Sequence, residues 1–157
     1  MPFLRSAAMF KRILFPTDGS KLSARAATVA AKLAKAHRAK LVALHVTAPY
    51  SPPPATLEGF VLADYFSPAE YRKAVRDAST KVLARAQATA KTAGVACETV
   101  SVESPAAWSA ICEAASARKC DLIVMASHGR RGLQGLLLGS ETHKVLTHSK
   151  IPVLVCR

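Results

Sequence analysis

From Lys11 to the C-terminus, short apolar runs alternate with longer stretches whose apolar residues recur every three or four positions. This alternation constrains the fold more than any other feature of the chain. The runs are Lys11–Phe15 (KRILF), Leu41–Val46 (LVALHV), Leu122–Ala126 (LIVMA) and Val153–Cys156 (VLVC). Such runs read as buried strands, whereas Cys97–Val102 (CETVSV) alternates polar with apolar and reads as a half-exposed edge strand. Between them lie helical patterns. Lys21–His37 places Leu22, Ala26, Val29 and Leu33 on one face, and the stretch after Ser67 does the same with Tyr71, Val75, Ala78, Val82 and Ala86. Pro105–Arg118 carries Trp108, Ile111 and Ala115, and a fourth helix runs from Ser140 to Thr147.

Punctuation supports these boundaries. PTDGS ends the first strand, and Asp18 or Ser20 can cap the helix behind it. SPAE, Ser67–Glu70, is a capping box with proline at the first helical position, and Gly94 is a good helix stop. Thr47–Phe66 is a long connection of the kind that serves as a lid or mobile segment, with Pro52–Pro54 in polyproline II. The order is strand–helix four times, then a strand. It implies one α/β domain: a doubly wound, five-stranded parallel sheet with helices on both faces. Such sheets bind ligands in the crevice where the strand order reverses. The loops that can line that crevice are PTDGS and SHGRRG.

Composition narrows the class. The chain has 157 residues, half of them hydrophobic, which suits a single domain, with Met1–Ala8 as a loose extension. The net charge of +12 favours acidic partners. The cations are spread along helical stretches, however, so solvated helix faces are the first reading and nucleic acid is not the expected partner. Four cysteines form no CxxC pair and no zinc spacing, so free thiols in a reducing cytoplasm are expected. Nothing approaches the ~18 apolar residues of a membrane span.

The stretch SHGRRGLQGLLLGS, Ser127–Ser140, holds four glycines between a strand and a helix. Glycine lets backbone N–H groups approach an anion, and a helix start adds unsatisfied N–H groups and partial positive charge. Gly129 follows the strand and Gly139-Ser140 opens the helix, so the nine residues between can loop out and return. The chain has neither GxxxxGK[ST] nor GxGxxG after the first strand, which sets aside a P-loop and a dinucleotide fingerprint. On the residues alone, a phosphate cradle and a structural turn both stand.

ILFPTDGS, LVALHV, DLIVMASHG followed nine residues later by GS, and KIPVLVCR together resemble the universal stress proteins over nearly all of Phe10–Arg157. The resemblance implies a Rossmann-like sheet in the order 3-2-1-4-5 and a cytoplasmic homodimer joined through the final strand, residues 151–156. It also implies an adenine-nucleotide site for ATP, with or without Mg²⁺, and a stress-response or signalling role rather than an enzymatic one. Carried over by position, Pro16, Thr17 and Asp18 line the adenosine side, and Val46 and Met125 touch the base or ribose. Ala126, Gly129, Gly139, Ser140 and Glu141 surround the ribose and phosphates, and Arg130 is placed for a phosphate contact. The chain departs from the family's G-x2-G-x9-G-[ST] pattern at Ala126, which replaces the first glycine. It departs again at Glu141, where nucleotide binders usually carry an apolar residue. A carboxylate there repels phosphate unless Mg²⁺, Arg130 or Arg131 intervenes, or unless it turns to solvent. The alternative is a module of the same fold that binds a protein partner and no nucleotide.

No catalytic or metal residue is assigned. Ser127-His128 lacks a nucleophile elbow, and neighbours in sequence seldom align hydroxyl with imidazole. His45 reads as a core or pocket-edge histidine, and Trp108 as core packing. His143 and His148 are five apart, not the four that share a helix face.

Overall fold

The computed structural model describes residues 9–51, 67–129 and 138–157. Met1–Ala8, Pro52–Pro54 and the rest of 52–66, and Arg130 and Arg131 lie outside the described residues. The elements are β1 (Arg12–Pro16), α1 (Lys21–His37), β2 (Lys40–Thr47), α2 (Pro68–Thr92), β3 (Cys97–Glu103), α3 (Ala107–Ala117), β4 (Leu122–Ala126), α4 (Ser140–His148) and β5 (Val153–Cys156). The sheet order is β3-β2-β1-β4-β5, and every pairing is parallel.

The pleat of each central strand divides its side chains between two cores. Ile13 and Phe15 of β1, Leu41 and Ala43 of β2, and Leu122 and Val124 of β4 pack with α1 and α2. Leu14, Val42, Leu44, Ile123 and Met125 face the other way, toward Ile111 and Ala115 of α3 and Val145 of α4. Helix α1 buries Ala26, Ala27, Ala30, Ala31 and Ala34. These small side chains let its backbone lie close to the sheet, which is what the high alanine content is for on this face.

Local chemistry sets the ends. Ser20 caps α1, its hydroxyl accepting the Ser23 N–H at 3.1 Å, while Asp18 Oδ1 accepts the Ser20 N–H at 2.9 Å. Ser67 and Glu70 exchange both bonds of the capping box, at 3.2 and 2.8 Å. Gly94 takes a φ of 72°, the left-handed turn that ends α2. Helix α3 begins at Ala107, two residues later than Pro105, because Ser104 binds Ala106 locally and holds that stretch in a turn.

Register places the crevice. Paired positions between β1 and β4 end at Leu14–Ile123. Yet β1 stays paired with β2 as far as Pro16–Leu44, and β4 with β5 as far as Ala126–Cys156. The sheet therefore parts between the C-terminal ends of β1 and β4, at the point where strand order reverses.

Candidate functional site

An open cleft of about 160 Å³ occupies that parting. Leu44, Val46, Ile111 and Met125 give it apolar walls, and Thr17, Asp18, Ser23, His128, Glu141 and Thr142 supply the polar groups. A few convergent polar groups on an apolar surface is the usual make-up of a small-molecule site.

The β1 side is held by backbone. The Thr17 N–H donates to Leu44 O at 2.8 Å. His45 Nδ1 lies 2.7 Å from Thr17 O, which requires the tautomer with the proton on Nδ1. Thr17 Oγ1 shares a hydrogen with Ser23 Oγ at 3.1 Å and accepts the Gly19 N–H at 3.2 Å. His45 is thus a pocket-edge residue that fixes the loop after β1.

The β4 side is tied to α4. Thr142 Oγ1 donates to Ala126 O at 3.0 Å. The Gly139 N–H donates to Ser127 O at 2.7 Å, and the Ser127 N–H to Cys156 O at 2.7 Å. The two ends of the glycine-rich stretch therefore meet. Glycine is favoured at Gly139, where the neighbours are backbone, and at Gly129 a side chain would displace the Asp18 carboxylate. A Cβ on Gly129 would sit 2.9 Å from Asp18 Oδ2, and one on Gly139 would sit 3.1 Å from Ser127 O and 3.4 Å from His128 Cα.

Of the residues named from sequence, Pro16, Thr17, Asp18, Val46, Met125, Ala126, Gly129 and Glu141 line the cleft. Gly139 caps α4 and Ser140 is its first, exposed residue; both stand beside the cleft rather than in its wall. Arg130 lies outside the described residues. Sequence reasoning missed Ser23, Leu44, Ile111, His128 and Thr142. Leu44 was recoverable from register with Pro16, and Thr142 from its place in the first turn of α4. Ile111 reaches the cleft only through the packing of α3.

Both departures from the motif have a structural answer. Among described residues other than glycine, positive φ occurs only at Arg38 and Lys119. Ala126 is an ordinary strand residue, so its Cβ strains no backbone there. The Glu141 carboxylate is part-exposed but does not stand unpaired. Its Oε2 accepts the Trp108 N–H at 2.9 Å and its Oε1 the Lys144 ammonium at 3.2 Å. Helix α3 has no side-chain cap of its own, and its free N–H groups and positive end draw in a carboxylate from α4. Trp108 also lies against His148, ring centroids 4.5 Å apart. Ser127 and His128 correct an expectation too: Ser127 Oγ and His128 Nδ1 are 3.1 Å apart, within hydrogen-bond reach. Ser127 is only 3% exposed, which keeps its hydroxyl from an incoming substrate.

The sequence profile of the Universal stress protein family matches residues 9–157. The chain belongs to the universal stress protein family. It is 36% identical over 149 residues to universal stress protein YxiE of Bacillus subtilis, covering 95% of this chain and all of the relative. It is 38% identical over 149 residues to a universal stress protein of Thermus aquaticus, with the same coverage. The structure of a universal stress protein in complex with cAMP superposes with a TM-score of 0.67 at 27% identity, covering 93% of this chain and 95% of that one. The family fold and the observed strand order agree.

Proposed function

We propose that this universal stress protein binds an adenine nucleotide, ATP in the first instance, in the cleft between β1 and β4. It does so as a cytoplasmic homodimer with a stress-response or signalling role. The observation that carries the reading is the closure of the glycine-rich stretch, with Gly139 N–H bound to Ser127 O next to Gly129 in the cleft wall. The backbone lies close here, with a Cβ on Gly139 3.1 Å from Ser127 O, and the first turn of α4 offers its N–H groups beside it. The relative that binds cAMP shares the fold and supports the same ligand class.

The cleft chemistry fits the ligand. Its enclosed volume of about 160 Å³ seats the base and ribose, and its open side leaves the phosphates at the rim. Leu44, Val46, Ile111 and Met125 suit a flat aromatic base. His128 Nε2 is buried and has no hydrogen-bond partner among the described residues, which leaves it for a ligand group. Thr17 and Asp18 suit ribose hydroxyls. Mg²⁺ would arrive with the phosphates, since it commonly keeps its waters and phosphate ligands. With Glu141 bound to Trp108 and Lys144, and His128 Nδ1 to Ser127, the protein holds the nucleotide rather than turning it over.

Calorimetric titration of the wild type and of Gly139→Val with ATP and Mg²⁺ tests this reading. Micromolar binding, lost by at least tenfold in Gly139→Val while the fold is retained, is the expected result. Equal affinity in the two proteins would place the nucleotide elsewhere.

A further inference from the structure

Among the described residues, most of the basic excess lies on one side of the sheet. Helices α1 and α2 pack side by side on that face. Together with the Arg38 cap they carry eleven Lys and Arg against two acidic residues, Glu70 and Asp77. The helices of the opposite face, α3 and α4, carry one lysine and two glutamates. On α1, Lys21, Arg25, Thr28, Lys32 and Lys35 follow one another at steps of four, three, four and three, and all are exposed. That spacing aligns them in one stripe about 21 Å long. Arg72, Lys73, Arg76, Lys81, Arg85 and Lys91 of α2 are exposed as well. Among the described residues, only Lys73 of these eleven is ion-paired, with Asp77 at 3.3 Å.

We propose that the α1–α2 face is a docking surface for a nucleic-acid backbone, bound through its phosphates without regard to sequence. A duplex presents one charge per ~1.7 Å, so the α1 stripe alone spans roughly a dozen phosphates. Exposed lysine and arginine with no exposed large hydrophobic residue among them is the composition of phosphate contact, which positions a protein without reading bases. A membrane surface fits less well. Interfacial helices bury an apolar face in lipid, and the apolar faces of α1 and α2 are spent on the core. The large hydrophobic residues exposed among the described residues, Met9, Leu146 and Leu154, belong to neither helix. An acidic protein also fits less well, since protein interfaces favour aromatic anchors and disfavour lysine. The aromatic ring of α2, Tyr71, is occupied by Tyr50 and by Ala48 O. This inference does not depend on nucleotide binding in the cleft.

Fluorescence anisotropy with a labelled 20-bp DNA duplex, and with RNA of the same sequence, between 50 and 300 mM KCl tests it. Binding should weaken steeply with salt, the logarithmic slope being about −0.9 for each phosphate neutralised. Lys32→Gln with Lys35→Gln should make the slope shallower by nearly two units. Lys150→Gln with Arg157→Gln, off this face, should leave it unchanged, and matched melting curves show that all variants fold. The ratio of DNA to RNA affinity identifies which polymer the surface takes. No binding at 50 mM KCl, or the same slope in both double variants, would overturn the proposal. So would polyglutamate or phosphatidylserine vesicles competing as well as the duplex at equal charge.

Discussion

The carboxylate of Glu141 accepts one hydrogen bond from the Trp108 backbone and one from Lys144, and so joins the first turn of α4 to the first turn of α3. Its side chain is about two-fifths exposed, so the Lys144 pair contributes little and the cap contributes most. Glu141→Ala should cost about 1 kcal/mol, the scale of a lost helix cap. Glu141→Gln should cost less, because the amide oxygen still accepts from Trp108. Thermal melting measures the difference. Trp108 is the only tryptophan, and its emission should shift in Glu141→Ala and not in Glu141→Gln. Equal melting of the two variants would contradict the cap. Glu141 and Trp108 are 33 residues apart, and no spacing rule connects them. The motif identified Glu141 as a departure, but the group it satisfies became visible only in three dimensions.

Among the elements, α2 carries the clearest local signal and a pH-dependent consequence. The Ser67 backbone N–H and hydroxyl hold the Glu70 carboxyl below its ordinary value of 4.5. A group lowered in the folded state stabilises it above that ordinary value and loses the contribution as pH falls through the depressed one. Wild type should therefore melt higher than Glu70→Gln at pH 6, and the gap should close as the pH is lowered below 4. A gap that stays constant with pH would contradict the capping box. The elements themselves were legible because strand and helix periods differ and because PTDGS, SPAE and Gly94 carry specific cap and turn chemistry. The start of α3 was less legible, since Ser104 diverts Ala106 into a turn and the cap that follows comes from another helix. All four cysteines are free, and burial pushes each thiol up, so they should react slowly with alkylating reagents at neutral pH.

At the scale of the molecule, the alternation of periods dictated the layers, and register placed the cleft. Pro16, Thr17 and Asp18 could be assigned to it from the loop after the first strand. Ile111 could not, because only the packing of α3 brings it there. The last strand, β5, pairs with β4 and leaves Leu154 38% exposed; Leu146 of α4 is also exposed, at 42%. An apolar strand at a sheet edge tends to pair with a second copy. Light scattering should give twice the 16.6 kDa chain mass for the wild type and a shift toward the single mass for Leu154→Lys. A wild-type monomer at all concentrations would contradict the dimer. The central claim concerns the cleft, and the most direct measurement is of what the purified protein carries. Denaturing it, resolving the released nucleotides by chromatography and titrating the stripped protein with ATP should yield bound adenine nucleotide or micromolar affinity. No released nucleotide and no heat on titration would make the Ser127–Gly139 closure a structural turn and contradict the account.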